Sequence, residues 1–522
     1  MGVALLLPAC TRESKPGPSA RSAAPQVLRL SQRNEPADLD PAKVTLPDEF
    51  GILRALCEGL LLPAPGGGEP RPGAAARYDV SPDGITYTFH LRPGALWSNG
   101  DPVTSADFVR SYQRVLTPAT AAQKAAVFYP VRNAQGFLEG KTRDFTTVGF
   151  RAVDQHTLVI TLERPNPRFP HYVASGPWLP VHLPTVERHG RKWTEPANFV
   201  GNGPFVLAEW RPQQRIVVKK NPRWHGAAAV RLAEIQFVRF DSNEAEERAY
   251  RAGQVDATMA VPISKLEVYA RERPAELHRA PLIETRYLAF NTTRGPLQDE
   301  RVRRALALAL DRQKIAERVL QGGQEPAIRF VPSALRAARE ARSPGGQHQF
   351  DPSIARRLLA AAGYDGKTLP RLELTGWTNS PLLEAMQAMW RQELGIDIRI
   401  ALREAKVHQR ALAAGDYDIG FITAIPDVAD AADLLGDFTS SSAENYPQWR
   451  DPVFDDTYRR AALLADAGER ATVLVDAEQQ LLQRAPVTPL YFNTKIWLMS
   501  PRVRGWEEDG LWTRTYQTLH LE

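Results

Sequence analysis

The stretch Tyr417-Asp418-Ile419-Gly420-Phe421-Ile422-Thr423-Ala424-Ile425 reads as one buried strand. It runs into Pro426-Asp427-Val428-Ala429-Asp430, a turn that carries acids. A carboxylate at the carboxyl end of such a strand lies where open α/β sheets gather their ligands, which makes Asp427 the first candidate for a ligand-binding residue. A local role competes with this one. Asp is a favoured N-cap, and a helix is indicated just downstream at residues 431–435.

No reactive constellation accompanies this acid. The chain has no His-Glu-x-x-His pair, no Gly-x-Ser-x-Gly elbow and no phosphate loop ending in Gly-Lys-Ser/Thr. Gly201-Asn202-Gly203 precedes a strand, whereas a dinucleotide loop precedes a helix, so it reads as a turn. His182 and His189 are seven residues apart, which suits no standard metal site. The residues therefore point to no catalytic group, metal or cofactor.

At 522 residues, the chain is long enough for two to four domains. Its 43% apolar and 24% charged residues allow a large core. The net charge of +5 is small and its basic residues are scattered, so nucleic-acid binding is not indicated. Cys57 lies in the apolar run 50–60 and reads as a buried free thiol. Cys10 ends the short apolar run Val3 to Ala9. Leu7-Pro8-Ala9-Cys10 resembles a bacterial lipoprotein cleavage box with Cys10 as the lipidated residue, although no Lys or Arg precedes the run. No other stretch approaches the roughly 20 apolar residues that span a bilayer, so membrane attachment would be through lipid, with residues 11–26 as a tether.

The elements that must position Asp427 follow from periodicity. In the first half, strands are expected near 27–30, 87–91 and 157–162, with a hairpin at 206–210 and 215–220. Helices are expected at 47–62 and at 105–115, the second capped by Ser105. In the second half, a strand at 287–291 leads to helices started by Asp299 and by Asp351-Pro352. Strand, helix and strand then follow at 372–377, 382–393 and 396–402, an alternation that implies a parallel sheet covered by helices.

Residues Asp83 to Val109, Asp-Gly-Ile-Thr-Tyr-Thr-Phe-His-Leu-Arg-Pro-Gly-Ala-Leu-Trp-Ser-Asn-Gly-Asp-Pro-Val-Thr-Ser-Ala-Asp-Phe-Val, closely resemble the family 5 solute-binding proteins of ABC transporters, which bind peptides, dipeptides or nickel. Further matches lie at Glu58-Gly59-Leu60, Gly201 to Phe205, Leu288 to Thr292, Asp299 to Asp311 and Pro486 to Tyr491.

The resemblance implies an α/β, two-lobed periplasmic-binding-protein fold, type II-like, with an extra inserted domain and a ligand cleft between the lobes. Lobe I would comprise residues 27–57, 198–286 and 496–522, the inserted domain II residues 58–197, and lobe II residues 287–495, after a signal and tether at 1–26. It implies a periplasmic or extracytoplasmic, lipid-anchored monomer that binds peptide and passes it to an ABC permease complex in the membrane. The alternatives are a sensor of peptides or cell-wall fragments uncoupled from transport, and a binder of a non-peptide ligand such as a nickel complex. In oligopeptide-binding members an aspartate pairs with the ligand α-amino group, and Asp427 falls on it. The arginines that meet the ligand carboxylate match Leu412 and Phe421 here, and pocket aromatics match Ala405 and Ala424, so ligand length and side-chain preference do not carry over. Trp97, in a turn-rich loop, is expected to be packed rather than ligand-facing.

Overall fold

The computed structural model describes residues 25–336, 349–377, 381–464, 466–508, 510–512 and 514–522, so Cys10 lies outside the described residues. The first sheet begins with Val27–Gln32, which pairs in parallel with Glu234–Arg239. The expected hairpin, Phe205–Arg211 and Arg215–Lys220, completes it. Ala257 bridges Leu30 on one side and Met499 on the other, which brings the C-terminal stretch back to this sheet. One core accordingly joins Ile52, Phe205, Ile235, Trp497 and Leu519.

The helix expected over 47–62 stops early, at Pro47–Leu56, and Cys57 is extended. Gly201-Asn202-Gly203 is the cause. The Gly203 N–H donates to the Leu56 carbonyl at 2.9 Å, and the Asn202 side chain bonds both backbone groups of Glu58 at 2.8 Å. A Cβ at Gly201 would lie 2.1 Å from the Leu56 carbonyl oxygen, so the close approach excludes any side chain there. Cys57 is buried and unpaired, and burial followed by the nearby Asp40 pushes its thiol up to about 12.

A second, antiparallel sheet runs Ala75–Val80, Thr86–Leu91, Thr157–Thr161, Phe150–Asp154 and packs on the helix Ser105–Leu116. That helix is capped by Thr104 rather than by Ser105. Asp107 accepts from the Thr104 N–H and hydroxyl at 2.8 Å each, while the Ser105 hydroxyl turns away to the Asp154 carbonyl. Trp97 has no exposed surface and lies in the core with Phe108, Tyr112, Phe128 and Trp178, as its packed reading expects.

The third sheet has the order Glu325–Pro326, Val487–Leu498, Leu277–Phe290, Ile419–Ala424, Glu373–Gly376, Arg399–Leu402. It is mixed, which corrects the all-parallel expectation. Ile419–Ala424, Glu373–Gly376 and Arg399–Leu402 run parallel to one another, and the other pairings are antiparallel. The reason is that both strands link two cores. Leu277–Phe290 leads from the core of Tyr250 and Leu266 to that of Leu288 and Phe290, and Val487–Leu498 leads back, so the two must run in opposite directions. Their pairing slips between Pro281 and Thr285 and again at Tyr287, where the strands cross from one body to the other. Asp299 and Asp351 cap Glu300–Leu308 and Pro352–Ala361 as expected, accepting from the N–H groups of Arg301 and Ile354 at 2.8 Å.

Candidate ligand-binding cleft

Ile419–Ala424 is held on both sides, antiparallel to Leu277–Phe290 and parallel to Glu373–Gly376, and its side chains are almost all buried. It is three residues shorter than the run Tyr417 to Ile425, and Pro426, which lacks an N–H, cannot extend the ladder. The turn that follows is fixed by a carboxylate. Asp433 accepts from the N–H groups of Asp427 and Val428 at 2.6 and 3.2 Å. The next helix, Ala431–Gly436, is capped by Asp430, whose side chain accepts from the Ala432 N–H at 3.2 Å. Asp430 also takes both arms of the buried Arg470 guanidinium, at 2.6 and 3.0 Å. The capping role considered for Asp427 thus falls to Asp430.

The Asp427 side chain instead faces a cavity of about 350 Å³ between the lobes. One wall comes from Thr45 to Arg54 and from Pro63 to Pro70, a second from Lys124 and His171 to Pro177, and the third from Gln409 and Thr423 to Ala429. Across it, the Lys124 Nζ lies 2.7 Å from the Asp427 Oδ1, with each side chain about one-third exposed. Burial works against the Lys124 charge, but the Asp427, Glu444 and Asp433 carboxylates outweigh it and raise the ammonium above its ordinary range. Behind this pair, loss of water and then the Asp427 charge push the Asp433 carboxyl up to about 7. Burial and then Glu444 push that of Asp437 well above the usual range.

On the wall that carries Lys124, the other polar groups are uncharged. Burial and then the Arg168 guanidinium lower the His171 imidazole to about 4, so it is neutral at pH 7. Its ring lies against the Gly67 and Gly68 backbone, and the buried Ser175 hydroxyl one turn along has no hydrogen-bond partner. A second cavity, of about 300 Å³, shares Gly67 and Ala429 with the first and is lined by the paired charges Arg470 with Asp430 and Arg336 with Glu478. Gly67 can hold the junction because its φ of +77° suits glycine, and a Cβ there would lie 2.9 Å from Ile283.

Leu412 and Phe421, where the resemblance had expected arginines in peptide binders, are core residues, and Phe421 stacks on Trp377 at 5.1 Å. Ala424 is buried, whereas Ala405 is exposed at the start of Ala405–Ala414. Lys124, His171 and Ser175 were not found from sequence. The only local signal at Lys124 is a single cation in Ala121-Ala122-Gln123-Lys124-Ala125, and nothing there says that it reaches across to residue 427.

The profile of the bacterial extracellular solute-binding proteins, family 5 Middle, matches residues 69–446. The probable deoxycholate-binding periplasmic protein YgiS of Escherichia coli is 33% identical over 491 residues, 92% of this chain and 90% of that protein. The solved Escherichia coli murein tripeptide binding protein MppA superposes with a TM-score of 0.83 at 31% identity, covering 96% of this chain and 99% of that one. Haemophilus influenzae OppA, solved in complex with RPPGFSPFR, gives 0.81 at 28% identity and covers 95% and 99%. A profile match over most of the chain, and likeness to relatives over nearly all of it, show that the chain belongs to the bacterial extracellular solute-binding proteins, family 5.

Proposed function

We propose that this chain is the extracytoplasmic binding component of an ABC importer, which closes two lobes on a peptide and delivers it to a membrane permease. The observation that carries this reading is the cleft. Three separate stretches of the chain wall a cavity of about 350 Å³, and two long antiparallel strands run between the bodies on its sides. Asp427 is the proposed ligand-binding residue, acting with Lys124 as the charged floor of the cleft. Binding, not catalysis, is its work.

We assign residues 27–57, 198–286 and 496–522 to lobe I, 58–197 to the inserted domain and 287–495 to lobe II. The packing of Leu179, Val181 and Trp193 with the first core supports ending the inserted domain nearer Trp178. Cys10 is the proposed lipid acceptor of a monomeric, membrane-tethered protein, and Cys10→Ser should release the protein from membranes. A second reading, a non-peptide amphipathic ligand, is favoured by the largely apolar lining and by the relative named for deoxycholate.

The test is mass spectrometry of ligand retained by the purified protein, followed by thermal shift. A peptide at a hundred times its dissociation constant should add about 2.7 kcal/mol of apparent stability. Retention of bile acids, with no melting response to any peptide, would overturn the peptide reading in favour of the second.

A further inference from the structure

Asp427 is the only acid among the described residues that line the cavity of about 350 Å³, so a cationic ligand end entering it has one carboxylate to meet. That carboxylate already carries an ammonium, the Lys124 Nζ at 2.7 Å. Nor is Lys124 a loose surface side chain. Its backbone leads directly into Ala125–Phe128, whose Ala125, Val127 and Phe128 are buried, and Phe128 stacks on Trp178 with ring centroids 4.2 Å apart. The ammonium is therefore held out over the cleft from a fixed point on the far wall.

The remaining charged lining residue is Arg54, whose guanidinium donates to the Ala174 carbonyl at 2.9 Å, so the lining groups sum to a small positive charge. Every other polar group on these walls is neutral at pH 7. Two of them, the His171 ring and the Ser175 hydroxyl, are more than nine-tenths buried, and the hydroxyl has its hydrogen-bonding capacity unmet. Asp433 and Asp437 stand behind Asp427 rather than in the cavity lining, and their raised carboxyls carry less negative charge near neutrality than their number implies. An ammonium arriving at Asp427 would be repelled by Lys124 and would find its counter-charge taken, whereas an amide would find donors and acceptors waiting.

We propose that Lys124 fills the ammonium position of this cleft from within, so that the protein takes peptides whose amino end is acylated rather than free. This rests on the peptide reading above. Lys124 is thereby the residue that sets specificity at the amino end, and His171 and Ser175 are the neutral groups that face the acyl amide.

The probe is a mixed library of tripeptides to pentapeptides, offered untreated and after complete N-acetylation, with retention read by mass spectrometry. The parent protein should retain the acetylated form at least threefold better. Lys124→Met should shift the ratio at least tenfold toward free amino ends, and Lys124→Arg should keep the parent preference. A parent that favours free amino ends overturns the inference without any variant, as does a folded Lys124→Met whose ratio is unchanged. If neither library is retained by any of the proteins, the peptide reading itself fails and takes this inference with it.

Discussion

Replacing Asp430 by Ala tests the construction of the turn that delivers Asp427. The substitution removes the cap of Ala431–Gly436, worth about 1 kcal/mol, and leaves the Arg470 guanidinium buried without its carboxylate, worth about 3 to 5 kcal/mol. The expected loss is therefore about 4 to 6 kcal/mol in the core that holds Leu434, Leu435 and Trp449. Asp430→Asn keeps the capping oxygen and should lose about 1 kcal/mol less. Adding Arg470→Met to Asp430→Ala should recover all but about 1 to 2 kcal/mol, because the stranded charge is then gone and only the cap and some packing are missing. The control is Asp427→Ala, which breaks only a partly exposed ion pair and should cost at most about 1 kcal/mol. Urea unfolding followed by tryptophan fluorescence reads all four. A loss below about 1.5 kcal/mol for Asp430→Ala, or a double variant as weak as the single one, would show that the pair does not hold this turn.

The raised Asp433 carboxyl has a folded value of about 7 against 3.8 for the free group, so the folded state binds the extra proton between those values. Its contribution to stability is full below about pH 4 and falls as pH rises to about 7, and Asp433→Asn should make the decline shallower in melts taken across pH 4 to 8, the raised carboxyls of Asp437, Asp48 and Glu246 supplying what remains. His171 acts in the opposite sense: lowered to about 4 from 6.5, it contributes stability above pH 6.5 that is lost as pH falls through 4, and His171→Gln should flatten the acid side of the same profile. Trp97→Ala should cost about 3 to 5 kcal/mol of stability while leaving the affinity of the folded protein for any ligand unchanged, which calorimetric titration separates from a ligand-facing role. At the lobe crossing, Glu508→Gln weakens the counter-charge of Lys495, at 2.5 Å, and of Arg514, at 3.2 Å, both buried, and should lower the melting temperature by the equivalent of about 3 kcal/mol or more.

The strand that ends at Ala424 was legible in the sequence because a buried strand must be apolar on both faces, and residues 417–425 are. The hairpin at 205–220 and the caps at Asp299 and Asp351 were legible for the same kind of reason, since each depends on residues within one or two turns of one another. The errors have a different origin. Helix 47–56 stops where Gly201-Asn202-Gly203 grips its end from about 145 positions away, and the third sheet is mixed because two of its strands link two cores. Neither constraint leaves a trace in a window of a dozen residues.

The acids of residues 427–433 show how far local reading reaches at the site itself. Asp427, Asp430 and Asp433 are spaced by three, and each alone is a plausible cap, ligand group or turn fastener. Their roles separate only when backbone bonds are counted. Asp433 holds the N–H groups of Asp427 and Val428, which orients the turn, and this places Asp430 beside the Ala432 N–H and Arg470 and leaves Asp427 pointing into the cleft. Lys124 then decides what that carboxylate can do, and it arrives from about 300 positions earlier in the chain. The resemblance singled out Asp427, which lines the cleft, but it gave no sign of the charge that carboxylate meets there. On the proposed reading, the specificity of the site lies in a pair of which the resemblance pointed to only one member, and it is the replacement of the other, Lys124, that should change which ligands are held.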